Sequence, residues 1–580
     1  MTDKTKIIDE ILNDWLKKMD LSGNKDLIEV REDFHKIKNK IFWKYKIAKP
    51  FASIQLIERY NELESTWELK ENLVFKKVLR KRWIRSLSGV TVISLLTEFF
   101  WCPWKCVYCP SFEGLPKSYI PNEPAVQRAE LNHFDPIMQI HNRLRALEIT
   151  GHKIEKNDIR IIGWTWSVYP KTYQEKFIKW VYDAFNTYDN MKKYIEKTDL
   201  SSDRFASFKI KETYKAKLSN SLEEAKKLNE TSRCRVIWVA IETRPDWINI
   251  EEIARLRKYW VTRVEIWYQT TIDEINKLNK RWHWNKESIE ATKLLKDAWI
   301  KVVAHMMPNL LWSTPDLDKK ALKEVFENPD FRPDELKIYP MVVTDKSELT
   351  EIWKKWGFKA YNDKTLINLT AELETMIPEY VRLNRTYRDI PANEILEWSK
   401  VANLRQIVEN NLKKEGIKLT DIRHREIKDW KNDPQKAVLN TFKYEASAWK
   451  EFFLTFEDPE DRTIFSLLRL RLNQNPPVTS DIPLIKGEQK TDSIISVLPE
   501  LKWCALIREI HTFWDQLSIW EKGSTFGQHL GFWKKLIAEA ERIAKENWYK
   551  KMAVIAWVWV RAYYVKRWYR LDGEYMVKEI

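Results

Sequence analysis

Glycine is what this 580-residue chain most conspicuously lacks: it has 12 glycines beside 30 tryptophans. An ordinary chain of this length would carry about 7% glycine, roughly 40 residues. The two counts together restore that share. Cysteine is scarce too, with five in all, which excludes the disulfide framework of a small secreted protein. No run approaches about 18 uninterrupted apolar residues, so no membrane span is expected. The opening MTDKTKIIDEILNDW has no apolar signal-peptide core, and a cytoplasmic location is expected. What the chain does have is 44% hydrophobic and 13% aromatic residues, which excludes a mainly disordered protein. Its length suits about two to four domains. Its 99 Lys+Arg against 84 Asp+Glu leave a net charge of +15.

Three contexts sharpen the glycine deficit. Trp260 in RKYWVTR, Trp299 in KDAWIKV and Trp548 in KENWYKK each stand between a helical run and a β-branched or aromatic run. That is the place of a left-handed helix terminus, which glycine adopts and a bulky residue resists. The expectation is that many tryptophans as written are glycines in the natural protein. This follows if the source reads UGA as glycine and the codon is rendered as tryptophan.

Residues 1–85 read as helical and charged, ending in the basic run VFKKVLRKRWIR. From LSGVTVISLLTEFF onward, strand-like runs (VTVISLL, DIRIIGW, RVIWVAIE, VTRVEIW, KVVAHMM, LKIYPMVV) alternate with amphipathic helices. Strands separated by helices imply parallel βαβ units, and this many in series predict a full or partial TIM-like barrel over 86–385. A charged insertion interrupts it at about 189–232. Residues 386–440 read as a helical linker and 441–580 as a second α/β unit, with KGEQKTDSIISVLPE as a polar loop.

Cys102, Cys106 and Cys109 fall in CPWKCVYCP, directly after a strand at the start of the barrel-like series. Three thiolates on one short loop suit three irons of a [4Fe–4S] cluster and leave the fourth iron open. Zinc would want a fourth ligand, for which Cys234 or His133 is available. Three unrelated buried cysteines are the bland alternative. Tyr108 before the last cysteine is an arrangement shared with radical S-adenosylmethionine enzymes. Those enzymes follow the next strand with a Gly-rich turn for the cofactor's methionyl amino group. Gly163-Trp164-Thr165 is similar to it if residue 164 is glycine; otherwise it reads as a plain turn.

Near the C-terminus, Gln528, Gly531 and Trp533 in QHLGFWKKLIAEAERIAK occupy the positions of a Q-x-x-G-x-G motif. Such a loop opens a helix whose free N–H groups cradle a pyrophosphate, with Lys534 and Lys535 beside it. Coenzyme A is the usual ligand of such a unit, though plain helix capping reads the same way. An indole at 533 would occupy the pyrophosphate's space. Downstream, AVIAWVWVRAYYVKRWYR resembles the strand and helix of GNAT acetyltransferases. Those enzymes use a tyrosine there on the CoA sulfur, with Tyr564 the first candidate and Tyr563 the second. A tyrosine pair is otherwise simple packing.

A radical S-adenosylmethionine cluster followed by a GNAT unit resembles the elongator protein 3 family from about residue 75 onward. The matches include KSYIPNEPAVQRAELNHFDP, IETRPDWI, HMMPNL, YVRLNRTYRDIP, YEASAWKEFFL, ALIREIHTF and QHLGFWKKL. In the family's pattern Trp164, Trp238, Trp260, Trp267, Trp282, Trp299, Trp312, Trp449, Trp514, Trp533, Trp557, Trp559 and Trp568 stand where glycine is expected, whereas Trp166 stands at an aromatic position. The resemblance implies a partial radical SAM barrel joined to a GNAT domain, with 5-carboxymethylation of the tRNA wobble uridine as its activity. It implies a [4Fe–4S] cluster on Cys102, Cys106 and Cys109, S-adenosylmethionine and acetyl-CoA. A deoxyadenosyl radical would take hydrogen from the acetyl methyl group, and the carbon radical would add to C5 of uridine 34. Acetyl-CoA contacts would be Lys156, Glu509, Ile510, His511, Thr512, Gln528, Gly531, Phe532, Trp533, Lys534 and Tyr564. Glu242, Arg244 and Gln269, with Gly163 to Thr165, would lie on the S-adenosylmethionine side; Glu242 and Arg244 could equally pair with each other.

The positive net charge suits tRNA, whose phosphates dominate affinity. Lys76, Lys77, Arg80, Lys81, Arg82 and Arg85 are the expected contacts, or else a solvated face. Some relatives hold zinc on cysteines near the junction of the two units; LTDIRHREIK here has none, so no zinc is expected. Leu530 replaces a commonly polar residue, and the first 75 residues match least. Two other functions compete: a protein-lysine acetyltransferase with a structural cluster, and an inactive tRNA-binding scaffold if the tryptophans are genuine. The sequence leaves a homodimer open and makes no accessory subunit evident.

Overall fold

The computed structural model describes residues 3–20, 27–47, 51, 53–66, 72, 78–79, 90–195, 217–356, 358–397, 403–428, 432–473, 494–513, 531–556 and 558–580. Residues 474–493, and the basic run 74–85 apart from Val78 and Leu79, lie outside them. At the start, α1 (Asp3–Asp20), α2 (Leu27–Lys44) and α3 (Ser53–Ser65) form a small helical unit. Ile8, Ile11, Leu12 and Trp15 fall at helical spacing on one stripe of α1. They are buried in one cluster with Phe34, Ile41, Phe42, Leu56 and Tyr60.

Seven strands then form one curved sheet in chain order: β1 (Thr91–Leu96), β2 (Lys156–Ile162), β3 (Arg235–Thr243), β4 (Arg263–Gln269), β5 (Lys301–Met306), β6 (Glu335–Ile338) and β8 (Arg382–Arg385). Every neighbouring pair is parallel, with helices as crossovers, as the alternation of runs predicts. Arg263 on β4 reaches past β3 to Asp158 on β2 at 2.7 Å, and Lys337 on β6 reaches to Glu242 on β3 at 3.8 Å. Side chains two or three strands apart meet only on a concave face, so these residues line the inside of a partial barrel.

Two readings of the sequence need correction. LKIYPMVV is not one strand: β6 ends at Ile338 ahead of Pro340, and Val343–Thr344 (β7) pairs antiparallel with Ile395–Glu397 (β9). The seventh barrel strand, β8, has the polar sequence RLNR at the very end of the expected barrel and is not among the strand-like runs. It escapes hydrophobic patterning because it is an edge strand whose polar side chains are paired, Arg382 with Glu426 at 2.7 Å and Asn384 with Glu335 at 2.6 Å.

The second sheet has the order β10 (Val438–Ala446), β11 (Trp449–Glu457), β12 (Ile464–Leu472), β13 (Cys504–Thr512), β14 (Lys551–Val554), β16 (Tyr575–Glu579), β15 (Arg570–Asp572). All its pairs are antiparallel except β13 with β14. That pair joins only Cys504–Ile507 to Lys551–Val554, so β13 runs on through Thr512 without β14 beside it. The helix Phe532–Glu546 connects the two strands.

This sheet is fastened to the N-terminal ends of the barrel strands by a buried ionic lattice. Arg508 grips Asp334 with both terminal nitrogens (2.8 and 2.6 Å) and lies 3.2 Å from Glu451. Arg471 bonds Glu451 at 2.8 Å and Asp297 at 2.5 Å. Lys301 and Arg469 hold Glu509 at 2.7 and 2.9 Å. Charges this deeply buried persist only when fully paired.

Among the described residues eight tryptophans have left-handed backbones: Trp164, Trp260, Trp282, Trp299, Trp312, Trp503, Trp548 and Trp568, with φ from 56 to 104°. Four of them repeat one motif. At Trp260, Trp299, Trp548 and Trp568 the residue's own N–H and the next residue's N–H both return to the last turn, as in Trp548 to Lys545 O (2.9 Å) and Tyr549 to Ala544 O (3.0 Å). This is the paired-bond helix terminus that favours glycine. Trp238, Trp267, Trp449 and Trp533 do not have positive φ, so backbone conformation gives no reason for glycine there. Trp166, expected to be a true aromatic, is buried in the core without a positive φ.

Candidate active site

The cysteine loop leaves the C-terminal end of β1. Its backbone is tied down at Thr97 N–H to Ile162 O (3.1 Å), Cys109 N–H to Cys106 O (3.1 Å) and Val107 N–H to Asn279 O (3.2 Å). Cys106 and Cys109 meet side chain to side chain, and Cys102 lies within the reach of Cys106's charge. A hydrogen bond from Cys109, reinforced by Arg281 and Arg244, holds the Cys106 thiol well below its usual range. Cys109, beside that thiolate and buried, is pushed the other way. A deprotonated sulfur under two guanidinium groups is what a metal-binding thiolate needs. Cys234 precedes β3 at its N-terminal end, opposite the loop, and burial pushes its thiol up to about 12. His133 is exposed on a turn. Neither completes a four-ligand set with the loop.

The expected S-adenosylmethionine residues gather at the same end of the barrel. Gly163 has φ of 125°, and a Cβ there would meet Thr97 Oγ1 at 2.3 Å, so β1 and β2 approach closely only because this residue is glycine. Trp164 follows, buried against Trp104 and Tyr169. Arg244 does not pair with Glu242. Its Nε and Nη2 bind Asp246 at 2.9 and 3.0 Å, and its guanidinium covers Trp104 at 4.0 Å. Arg244 Nη1, Gln269 Oε1, Thr165 Oγ1 and Tyr108 Oη are all buried without a hydrogen-bond partner. Orphaned polar atoms around a cysteine loop are unusual in a finished core, and they fit a polar cofactor bound against the cluster.

Sequence reasoning missed several residues here. Arg281, in the loop after the helix Asp273–Leu278, points at Cys106; the string NKRWHW gave no sign of it. Inside the barrel, Glu265 bonds His305 at 2.9 Å and contacts Lys337. Tyr119 donates to Glu242 at 3.4 Å. Burial, with the charge of Glu265, raises the Glu242 carboxyl above the ordinary range. Glu242, Glu265 and His305 are near enough to share a metal ion, but the Lys337 ammonium already supplies their cation. The four residues come from four successive strands, β3 to β6, and only the curvature of the sheet brings them together.

The expected acetyl-CoA residues divide. Lys156 opens β2 at the barrel's N-terminal end, the end on which the second sheet sits. Glu509 spends its carboxylate on Lys301 and Arg469. Ile510 to Thr512 lie on the stretch of β13 that β14 has left. The His511 ring stacks on Phe513 at 4.4 Å and lies 5.5 Å from Trp238. Gly531, with φ of 70°, caps the helix Phe532–Glu546. Phe532 turns inward onto Phe456 at 4.7 Å, so only its backbone is available to a ligand, whereas Lys534 is exposed. Trp533 packs against Tyr563 at 5.7 Å, placing Tyr563 beside the loop, while Tyr564 is fully buried against Tyr563 and Tyr569. Gln528 and the six expected tRNA contacts, Lys76, Lys77, Arg80, Lys81, Arg82 and Arg85, lie outside the described residues. Among the described residues no helix is long and apolar enough to cross a membrane.

Comparison with known proteins agrees with this geometry. The Radical SAM superfamily profile matches residues 99–317, and the Radical_SAM C-terminal domain profile matches 333–414. The tRNA uridine(34) acetyltransferase of Methanocaldococcus infernus is 35% identical over 564 residues, 95% of this chain and 96% of its own. Elongator complex protein 3 of Homo sapiens is 31% identical, over 96% of this chain and 95% of its own. The solved structure of the M. infernus elongator protein 3, with residues 1–46 deleted, aligns with a TM-score of 0.66 at 34% identity, covering 85% of this chain and all of that one. Similarity of this depth along nearly the whole of both chains makes the protein an enzyme of the elongator protein 3 family, within the radical S-adenosylmethionine superfamily.

Proposed function

We propose that the protein carboxymethylates C5 of the wobble uridine of tRNA, with acetyl-CoA as the source of the two-carbon unit. The reading is supported by the cysteine loop with its unpaired polar neighbours in a chain that also carries the Glu509–Thr512 stretch and the Gly531 helix start. The cysteine loop lies at the C-terminal end of the barrel, and the Glu509–Thr512 stretch of β13 is fastened to the N-terminal end through Lys301. When bound, the cluster, S-adenosylmethionine and acetyl-CoA supply a carbon radical and the acetyl group. The chain's own residues do the rest. Cys102, Cys106 and Cys109 hold the cluster. Thr165, Arg244 and Gln269 offer their unpaired polar atoms to the adjoining cofactor. The backbone edge of Ile510–Thr512, which β14 does not cover, and the helix N-terminus at Gly531 receive the coenzyme. Tyr563, beside that loop, or the buried Tyr564 stands at the thioester. The ionic lattice fastens the sheet that carries the coenzyme residues to the barrel that carries the cysteine loop.

The names of the relatives support tRNA uridine 34 as the substrate. Anaerobic acetyl-CoA hydrolysis with and without tRNA tests the reading. Hydrolysis stimulated by tRNA and lost in Cys106→Ser is expected. Acetylation of lysine peptides with no response to tRNA would replace this reading by the protein acetyltransferase.

A further inference from the structure

Where the barrel meets the second sheet, three cations gather around one indole. Lys226, on the helix Leu222–Asn229, holds its ammonium 4.8 Å from the Trp260 ring. The Arg561 guanidinium, from the helix Val558–Val565, lies 5.6 Å from the same ring. Arg257 lines the cleft with them. It is 2% exposed; Nη1 donates to Val261 O at 2.6 Å, and Nε has no acceptor. The Arg561 side chain makes no hydrogen bond or ion pair among the described residues, and its Nε is buried. Burial pushes this guanidinium below its ordinary range, which Glu230 and Glu574 only partly oppose. Glu574 is the one carboxylate lining the cleft. It accepts from Trp260 Nε1 at 2.7 Å and stands 4.0 Å from Lys226, whose ammonium also donates to Lys258 O at 3.0 Å. Cations in such surplus, withdrawn from water, are unfavourable unless an anion joins them.

The indole itself marks the place. An aromatic face set against two cations supplies negative potential where no charge is present, and Trp260, with φ of 59°, is one of the positions whose backbone calls for glycine. With glycine there, the space between Lys226 and Arg561 is open and Arg257 borders it. We propose that this cleft is an oxyanion site of the phosphate class, filled by free phosphate or by a phosphodiester of bound RNA, with Arg257, Arg561 and Lys226 as its donors. Guanidinium groups match the oxygens of phosphate in geometry as well as charge. The site lies at the N-terminal end of β4, the far end of the barrel from the cysteine loop, and takes no part in holding the cluster.

Isothermal titration calorimetry with inorganic phosphate tests this, on the full chain as written and on Trp260→Gly. Saturable binding is expected in both, tighter in Trp260→Gly because the two ring-facing cations are released. Arg561→Gln and Lys226→Gln should each weaken it roughly tenfold or more, the worth of a hydrogen bond to a charged group. Binding of tRNA over a salt series then separates the two sources. A salt slope smaller by about 1 in Arg561→Gln assigns the site to an RNA phosphodiester; an unchanged slope with phosphate binding lost assigns it to free phosphate. The proposal is overturned if neither chain binds phosphate saturably, or if Trp260→Gly binds it more weakly. It is overturned equally by binding that survives both Arg561→Gln and Lys226→Gln, which would belong elsewhere, as at the Gly531 helix start. Circular dichroism checks folding, and if one of these two variants does not fold, the other decides.

Discussion

Replacing Trp548 and Trp568 together by glycine should make the protein more stable, although it deletes two of its largest side chains. Both residues end helices in the left-handed conformation, with φ of 67 and 69°. Both indoles are spread on the surface, 80% and 86% exposed, so deleting them forfeits little buried apolar area. A left-handed non-glycine residue costs roughly 1–2 kcal/mol, and glycine's extra freedom in the unfolded chain returns about 0.4–1 kcal/mol of the gain. The balance is about 1 kcal/mol per site, or about 2 kcal/mol for the pair. Urea unfolding followed by far-ultraviolet circular dichroism reads this without depending on tryptophan emission. An unchanged or lowered midpoint would refute the backbone argument, and with it the case that these positions belong to glycine. Applied to all eight left-handed tryptophans, the same reasoning gives a penalty on the order of the 5–15 kcal/mol that holds a whole domain together.

Further predictions follow from buried charge and from the coenzyme loop. Asp334→Ala strands Arg508 without its two-bond partner and should cost about 3–5 kcal/mol, read as a lowered urea midpoint; a neutral result would mean that Glu451 alone suffices. Burial raises the Glu374 carboxyl to about 7, and both its oxygens lack partners. A raised acid favours the fold below its unfolded value and loses that contribution as pH climbs through about 7, so stability should decline over that range and Glu374→Gln should flatten the decline in pH-dependent unfolding. At residue 533, peptide mass spectrometry of protein from its native cells should find glycine. Trp533→Gly in the chain as written should tighten acetyl-CoA binding at least tenfold by calorimetry, and unchanged affinity would separate the loop from the coenzyme.

The barrel was largely legible because its inner strands are buried and rich in Val and Ile, with helical runs between them. β8 was not, because an edge strand that satisfies itself with Glu426 and Glu335 has no need of an apolar pattern. The cysteine loop could be read directly from C-x3-C-x2-C, since the chemistry itself fixes that spacing. Arg281 and the Glu242–Glu265–His305–Lys337 group could not. They come from separate strands and loops, and nothing local distinguishes them from residues of an ordinary surface. The backbone reason for glycine was visible at Trp260, Trp299 and Trp548 from the helix endings alone, whereas Trp503, another left-handed residue, sits in a turn with no such signature. Phe532 and Glu509 show what a motif leaves out: it gives a residue's address but not the direction of its side chain.

The central claim is chemical, and one measurement meets it directly. The protein is purified anaerobically from its native cells and incubated with unmodified tRNA, S-adenosylmethionine, acetyl-CoA and a low-potential reductant. The tRNA is then digested to nucleosides for mass spectrometry. The account predicts 5-carboxymethyluridine at position 34, dependent on both cofactors and absent with Cys106→Ser. A fully loaded iron–sulfur protein that binds acetyl-CoA and tRNA yet leaves uridine 34 unchanged would contradict it.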